Sequence, residues 1–547
     1  MKKIVLSLII FTFTCNIINS QSKSREEKAN SIINYQSNED RANMNKLGMA
    51  FSAITNLYVD KTENSKIVED AITGMLEKLD PHSSYTNAEE TRKMNEPLEA
   101  NFDGIGIQFN MLTDTLYVIQ VISGGPSEKV GLLAGDRIVM VDTTTIAGVK
   151  MPNTDVMKLL RGKKGTEVNV KVKRGSLPYL LDFKIIRDVI PVFSIDAAYM
   201  ADSKTGYIYL SRFAATSSDE FEKAVSDLRK QGMKNLILDL QGNGGGYLHI
   251  AYALADQFLK KGQLVVYTQG DKSQRSNAMA TERGVFEDGK VVILVDQFSA
   301  SSSEIVAGAI QDWDRGVIMG RRTFGKGLVQ RPIELPDSSM IRLTIARYYT
   351  PAGRNIQRPY ENGNKEAYNH DLIDRYNSGE FMNADSIHFP DSLKYSTLIS
   401  NRTVYGGGGI MPDVFIPIDS TRSTEYHAKL VRLGLVNRIA MSYIDKNRQT
   451  LNSKYPNFEK YNKGFIITED ILKELISVAE EDKIEFDEEQ FNKSKELISL
   501  QLKALVARDL FEMNEYFQIM NKKNDSYLKA LQIINDDEQY NKILKGI

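Results

Sequence analysis

The sequence predicts an α/β core that carries an inserted β-rich module and ends in a long helical region. Three patterns predict it. NLILD at 235–239 and VVILV at 291–295 are unbroken apolar runs of strand length, each followed by a glycine or serine turn and then a helical periodicity. That is the pattern of strands buried on both faces and joined through helices. Between about 97 and 187 the chain alternates instead, in FDGIGIQF, LYVIQVI, GDRIVMVD and VNVKVKR, with Gly, Pro and Asp turns between the segments, as half-buried antiparallel strands do. From 421 onward apolar residues return every three or four positions, the spacing of one helical face.

In chain order, residues 1–20, MKKIVLSLIIFTFTCNIINS, have a short basic start, an apolar stretch and a small or polar end. This is the build of a secretory signal, too short for a membrane span, and export to the periplasm or cell envelope is expected. The only cysteine, Cys15, lies inside it. Cleavage near Ser20 leaves a mature chain without a thiol, which excludes disulfides and cysteine catalysis; TFT before Cys15 is a poor match to a lipid-attachment site. Residues 21–96 contain the amphipathic VEDAITGMLEKL followed by DPHSSYT, expected to pack on the core. In the module at 97–187, PSEKVG at 126–131 and NTDVMKLLRG at 153–162 read as two short helices. The core proper spans 188–420, with a polar insertion near 361–400. In the region 421–547, Leu430, Leu433, Val436, Ile439 and Ala440 fall at helical spacing within AKLVRLGLVNRIAMSYI. This tail is open as a packing cap, a dimer arm or an adaptor surface.

With 547 residues, 42% hydrophobic and 26% charged, the chain has enough apolar material for three or four domains. Its formal net charge of −2 and lack of a long basic run point away from a nucleic-acid partner.

The chemistry concentrates in VDQFSASSSEIVAGAIQDWDRGVIMGRRTFGKGLVQ at 295–330. A serine hydroxyl needs a neighbour to take its proton, and a lysine does so when desolvation lowers its pKa. Ser301 is the candidate nucleophile and Lys326, after the apolar VIMG, the candidate base. Ser301 stands where the helix SSSEIVAGAIQDW begins, so first-turn N–H groups and the helix dipole favour an oxyanion there. Ser301 with Glu304 is also a capping box. Upstream, GNGGG at 242–246 suits a turn that presents backbone N–H groups; it matches neither GxxxxGK(S/T) nor GxGxxG, which leaves a nucleotide site unsupported. With five histidines and no GxSxG, a Ser-His-Asp site has few candidate bases. No HExxH or CxxC occurs, so neither a metal nor another cofactor is expected.

Together SASSSE at 299–304, TFGKGLVQ at 323–330, LDLQGNGGG at 238–246, ARYYTPAGRNIQ at 346–357, YGGGGIMPDV at 405–414 and GMLEKLDPHSSY at 74–85 resemble the C-terminal processing, or tail-specific, peptidases, serine endopeptidases with a Ser-Lys dyad. The resemblance implies a crotonase-like (ClpP-like) core, with Ser301 as nucleophile, Lys326, 25 positions on, as base, and Gln330 orienting the base. It also implies an oxyanion hole made by the N–H groups of Ser302 and Gly245. Gln241 and Gly244 depart from the family's usual arginine and proline. Residues 97–187 look like a PDZ domain in its permuted bacterial form, which implies capture of protein C-terminal tails. Gly104, Ile105 and Gly106 would form the carboxylate nest, and Ile105, Ile107, Met157 and Leu160 the side-chain pocket. Two rivals are a catalytically inactive PDZ scaffold, which the intact Ser301, Lys326 and Gln330 disfavour, and acyl-CoA chemistry on the same fold.

Overall fold

The computed structural model describes residues 37–547 apart from 113 and 176, so the expected signal segment and Cys15 lie outside the described residues. The apolar runs form the centre of the molecule. Thr205–Leu210, Asn235–Asp239, Val291–Val295, Val317–Gly320 and Val414–Phe415 make a parallel ladder, and Ile195–Met200 closes its other edge antiparallel to Thr205–Leu210. Every residue of Asn235–Asp239 and Val291–Val295 is buried, as unbroken apolar strands require.

Side chains alternate along a strand, so the two faces of this sheet receive different residues. Leu236, Leu238, Ile293 and Val295 pack with Val225 of the helix Ser217–Lys230, Leu254 of Leu248–Asp256 and Val306 of Ser302–Asp312. Ile237, Val292 and Leu294 belong to a separate cluster with Tyr527, Ala530 and Ile533 of the helix Asp525–Asn535 and Tyr540 of Asp537–Lys545. The end of the helical region is thus the second cover of the central sheet.

The rest of that region has its own apolar centre around Leu430, Val436, Leu475, Ile498 and Leu502. Here the expected helical face needs a correction. Gly434 adopts φ 71° and separates Glu425–Arg432 from Leu435–Lys454, because a left-handed residue breaks the helical hydrogen-bond ladder and glycine takes that conformation without a Cβ penalty. Leu433 is consequently 58% exposed, while Leu430, Val436, Ile439 and Ala440 are buried.

A second, antiparallel sheet has Met340–Tyr349 as its spine, paired with Ser84–Thr86, Leu328–Glu334 and Leu264–Gly270. It places the DPHSSYT segment across this spine from the strand that carries Gln330. The polar insertion holds a helix, Lys365–Asn377, capped by Asn364 and burying Tyr368 and Arg375.

In the inserted module the strands Ile107–Leu112, Thr115–Val121, Arg137–Val141, Glu167–Lys173 and Leu181–Ile186 are neighbours in that order. Its helices are Pro126–Lys129 and Asn153–Leu160. Asn101–Gly104 pairs with Asp188–Pro191, so the chain leaves the core and rejoins it side by side. A second attachment comes from the helix Leu435–Lys454, where Asp445 pairs with Arg137 and Arg448 Nη2 donates to the Tyr117 hydroxyl at 3.4 Å.

The two leucine-like positions of the helical region separate by experiment. Ile533→Ala, fully buried on the sheet, should cost about 3 kcal/mol in denaturant unfolding, and Leu433→Ala under about 0.5 kcal/mol. Equal losses would contradict this packing.

Candidate active site

The strand Val291–Val295 delivers the chain to a loop stitched onto the glycine turn. Ser299 Oγ donates to the Leu240 carbonyl at 2.8 Å; the Ala300 N–H and Ser303 Oγ both donate to the Asn243 carbonyl, at 3.0 and 2.8 Å. Ser301 follows at φ 55°, ψ −108°, a region a non-glycine residue occupies at a cost of about 1–3 kcal/mol. Its N–H donates to Glu304 Oε2 at 2.8 Å, which helps hold it there. Ser302 and Ser303 are buried, whereas Ser301 is partly exposed. Of the four serines of SASSSE, only Ser301 keeps exposed surface.

Glu304 is fully buried, and its carboxylate does more than cap the helix. Oε2 also accepts the Lys326 N–H at 2.9 Å, and Oε1 accepts the Thr323 hydroxyl at 2.6 Å and the Gly325 N–H at 2.7 Å. The buried Tyr348 hydroxyl adds a second tie, lying between the carbonyl oxygens of Ser301, at 3.2 Å, and Lys326. Sequence reasoning saw Glu304 only as a cap and did not find Tyr348. The capping motif marked Glu304, but nothing in the local pattern announced its reach to residues 323–326.

The Lys326 ammonium donates to Gln330 Oε1 at 2.9 Å, and Gln330 Nε2 donates to the carbonyl of His82. Desolvation, with the Arg342 guanidinium nearby, holds Lys326 below the usual lysine range. Ser301, Lys326 and Gln330 line one cavity of about 460 Å³, together with Gly245, Tyr348 and Arg342.

The glycine turn lines the same cavity. At Gly245, φ 102°, a Cβ would lie 3.0 Å from Ser301 Cβ and 3.1 Å from the Ser302 nitrogen, and at Gly246 it would lie 2.1 Å from the Phe213 carbonyl oxygen. Side chains at either position have no room. At Gly244 a Cβ would meet open space. The expected oxyanion hole is assembled only in part. Ser302 is the first helical residue, so its N–H has no intrahelical acceptor. The Gly245 N–H instead donates to Asn243 Oδ1 at 2.9 Å, because the buried asparagine folds back over its own turn. In this conformation Gly245 is not a free donor.

In the inserted module, Gly104, Ile105, Gly106, Ile107, Met157 and Leu160 all line a second cavity, of about 270 Å³. Phe102 and Arg161, which the sequence did not single out, line it too.

Comparison with known proteins agrees with these pieces. Residues 204–362 match peptidase family S41, 104–185 the PDZ domain family, 6–91 the activating protease CtpB N-terminal domain and 426–512 a family of unknown function. A carboxy-terminal-processing protease of Bartonella bacilliformis is 36% identical over 317 residues, 57% of this chain and 72% of its own length. A probable CtpA-like serine protease of Staphylococcus epidermidis is 35% identical over 357 residues, 64% of this chain and 69% of its own. Among solved structures, the photosystem II D1 C-terminal processing protease is 29% identical, with a TM-score of 0.32 over 56% of this chain and 89% of its own. The PDZ domain of a Vibrio cholerae carboxy-terminal protease, solved in complex with peptide, is 29% identical, with a TM-score of 0.16 over 17% of this chain and 99% of its own. From the S41 match, the PDZ match and the length of the Bartonella alignment, the chain belongs to the S41 peptidases, among the carboxy-terminal processing proteases, and carries a PDZ domain.

Proposed function

We propose that this peptidase is an exported serine endopeptidase that captures protein C-terminal tails with its PDZ domain and cuts peptide bonds through a Ser301–Lys326 dyad. The observation that carries the reading is the shared cavity, in which an accessible serine, a desolvated lysine and an orienting glutamine meet. Neutral Lys326 takes the Ser301 proton as Ser301 Oγ attacks the scissile carbonyl. The resulting oxyanion is stabilised by the Ser302 N–H, and by the Gly245 N–H once it leaves Asn243 Oδ1. Collapse breaks the C–N bond, and the Lys326 ammonium returns its proton to the departing amine. Water, deprotonated by the same lysine, then attacks the acyl-enzyme and releases the acid. The chemistry calls for no cofactor.

The parallel strands Thr205–Leu210, Asn235–Asp239 and Val291–Val295, each leading to a covering helix, support a crotonase-like core. Export rests on the composition of residues 1–20 and points to the periplasm or envelope. We also keep a dimer or adaptor contact as a role for the helical region outside its last two helices.

Ser301→Ala and Lys326→Ala should each abolish peptide hydrolysis without loss of the folded state, since the two groups act as a unit, whereas Ser303→Ala should retain most of it. A base must be neutral to accept a proton, so the rate should fall as pH drops through the depressed pKa of Lys326. Lys326→Arg should stay inactive at every pH because a guanidinium does not deprotonate. A peptidase assay across pH on the four variants checks this, and an active arginine variant would exclude the lysine.

Glu304 gives a pH dependence of stability. Burial outweighs its four hydrogen bonds and pushes its carboxyl up to about 6, from 4.5. The folded state therefore keeps an extra proton between those values. The contribution to stability is full below about 4.5 and is lost as pH rises through 6, a change of about 2 kcal/mol. By urea unfolding, the wild type should lose about 2 kcal/mol relative to Glu304→Gln between pH below 4.5 and pH above 6; parallel curves would refute it.

For tail capture, a substrate ending in a free apolar residue should be cleaved faster than its amidated twin, because amidation removes the charge that the loop N–H groups stabilise. Equal rates under capture-limited conditions would withdraw the tail-specific part of the reading.

A further inference from the structure

Gln330 is oriented by a residue 248 positions earlier in the chain. A carboxamide has a donor end and an acceptor end. The His82 carbonyl takes the donor end, which leaves Oε1 for Lys326. The choice matters chemically. When Oε1 faces the lysine, Lys326 donates an N–H to it and keeps its lone pair for the Ser301 proton. With the amide reversed, the Gln330 NH2 would occupy that lone pair.

The His82 carbonyl is itself held by a compact turn. Asp80 Oδ1 accepts the N–H groups of His82, at 2.9 Å, and Ser83, at 3.0 Å, together with the Thr344 hydroxyl at 3.0 Å. Asp80 Oδ2 accepts Ser83 Oγ at 2.5 Å, and that oxygen accepts the Thr344 N–H at 3.1 Å. Thr344 is the cross-strand partner of Gln330. Asp80 and Ser83 are buried. The His82 ring is braced separately, with Nε2 2.8 Å from the Tyr368 hydroxyl and the ring edge-on to Tyr368. Burial and the nearby Lys326 pull its pKa down to about 3, so it adds no second cation beside the base.

We propose that the Asp80–Ser83 turn is a positioning element of the catalytic base: the Asp80 carboxylate holds the His82 carbonyl against Gln330, and that contact keeps Gln330 Oε1 on Lys326. The inference rests on Lys326 being the base. It makes the segment before the PDZ domain part of the machinery that sets kcat.

A double-mutant cycle in the full chain, with a reporter peptide, tests it. Asp80→Ala should lower kcat about tenfold or more with little change in KM. In a Gln330→Ala background the same change should cost less than about twofold, because the route through Gln330 is already gone. The pH profile gives a second readout. The groups facing Lys326 are Arg342, Glu304 and Asp80, with His82 neutral; removing the Asp80 charge should move the acid limb to lower pH, which a purely structural loss would not do. If Asp80→Ala shows no cooperative melting, Ser83→Ala, which keeps the carboxylate but removes its Oδ2 donor, takes its place in the cycle with the same expected coupling. Losses that multiply in the double variant, or a wild-type kcat and acid limb in the single one, overturn the positioning role. Ser301→Ala and Lys326→Ala run alongside: if both are dead while the cycle is additive, the dyad stands and only the positioning role falls, whereas activity in Lys326→Ala removes both.

Discussion

Ser301 and Lys326 belong to different loops, with a helix and the strand Val317–Gly320 between them, and the carboxylate of Glu304 ties the two loops together. Its two oxygens collect four donors, one from the serine and three from residues 323–326. Left without that acceptor, these buried donors would each cost about 1–3 kcal/mol. These bonds offset the cost of burying the carboxylate only in part, since its carboxyl is still pushed up to about 6, and they link the Ser301 loop directly to the Lys326 loop. Tyr348 repeats the link on the carbonyl side. The placement of the Ser301 loop against the Lys326 loop is thus a property of the scaffold.

The glycine turn is built differently. Gly245 is pressed against Ser301 and Ser302 with no space for a side chain, yet its N–H is turned to Asn243 Oδ1. One half of the site is locked and the other half is satisfied internally. In the proposed mechanism an oxyanion would take the place of Asn243 Oδ1 as the acceptor of that N–H.

How much of this was legible in the sequence depended on the kind of signal. Fully buried strands announce themselves as unbroken apolar runs, so Asn235–Asp239 and Val291–Val295 could be read directly. Ser301, Lys326 and Gln330 were legible because their motifs are short and specific, and the structure brings them to one cavity. Contacts to backbone have no such mark. The His82 carbonyl could be any carbonyl, and nothing in DPHSSY says that it will meet Gln330. Glu304 was seen through its local role, which hid its distant one. At Gly434 the periodicity continued through a residue whose conformation ended the helix, so Leu433 was placed on the wrong side. The second cover of the central sheet was hidden for a related reason: amphipathic spacing shows that a helix buries a face and not which surface receives it.

The paired strands Asn101–Gly104 and Asp188–Pro191 have a mechanical meaning. Together with the contacts of Arg137 and Tyr117 to the helix Leu435–Lys454 and of Arg161 to Glu96, they hold the PDZ domain at three places. In the proposed tail capture, a pull on a bound tail would load this ribbon, whose core-side continuation through Leu98 and Asn95 lines the cavity that holds Ser301 and Lys326.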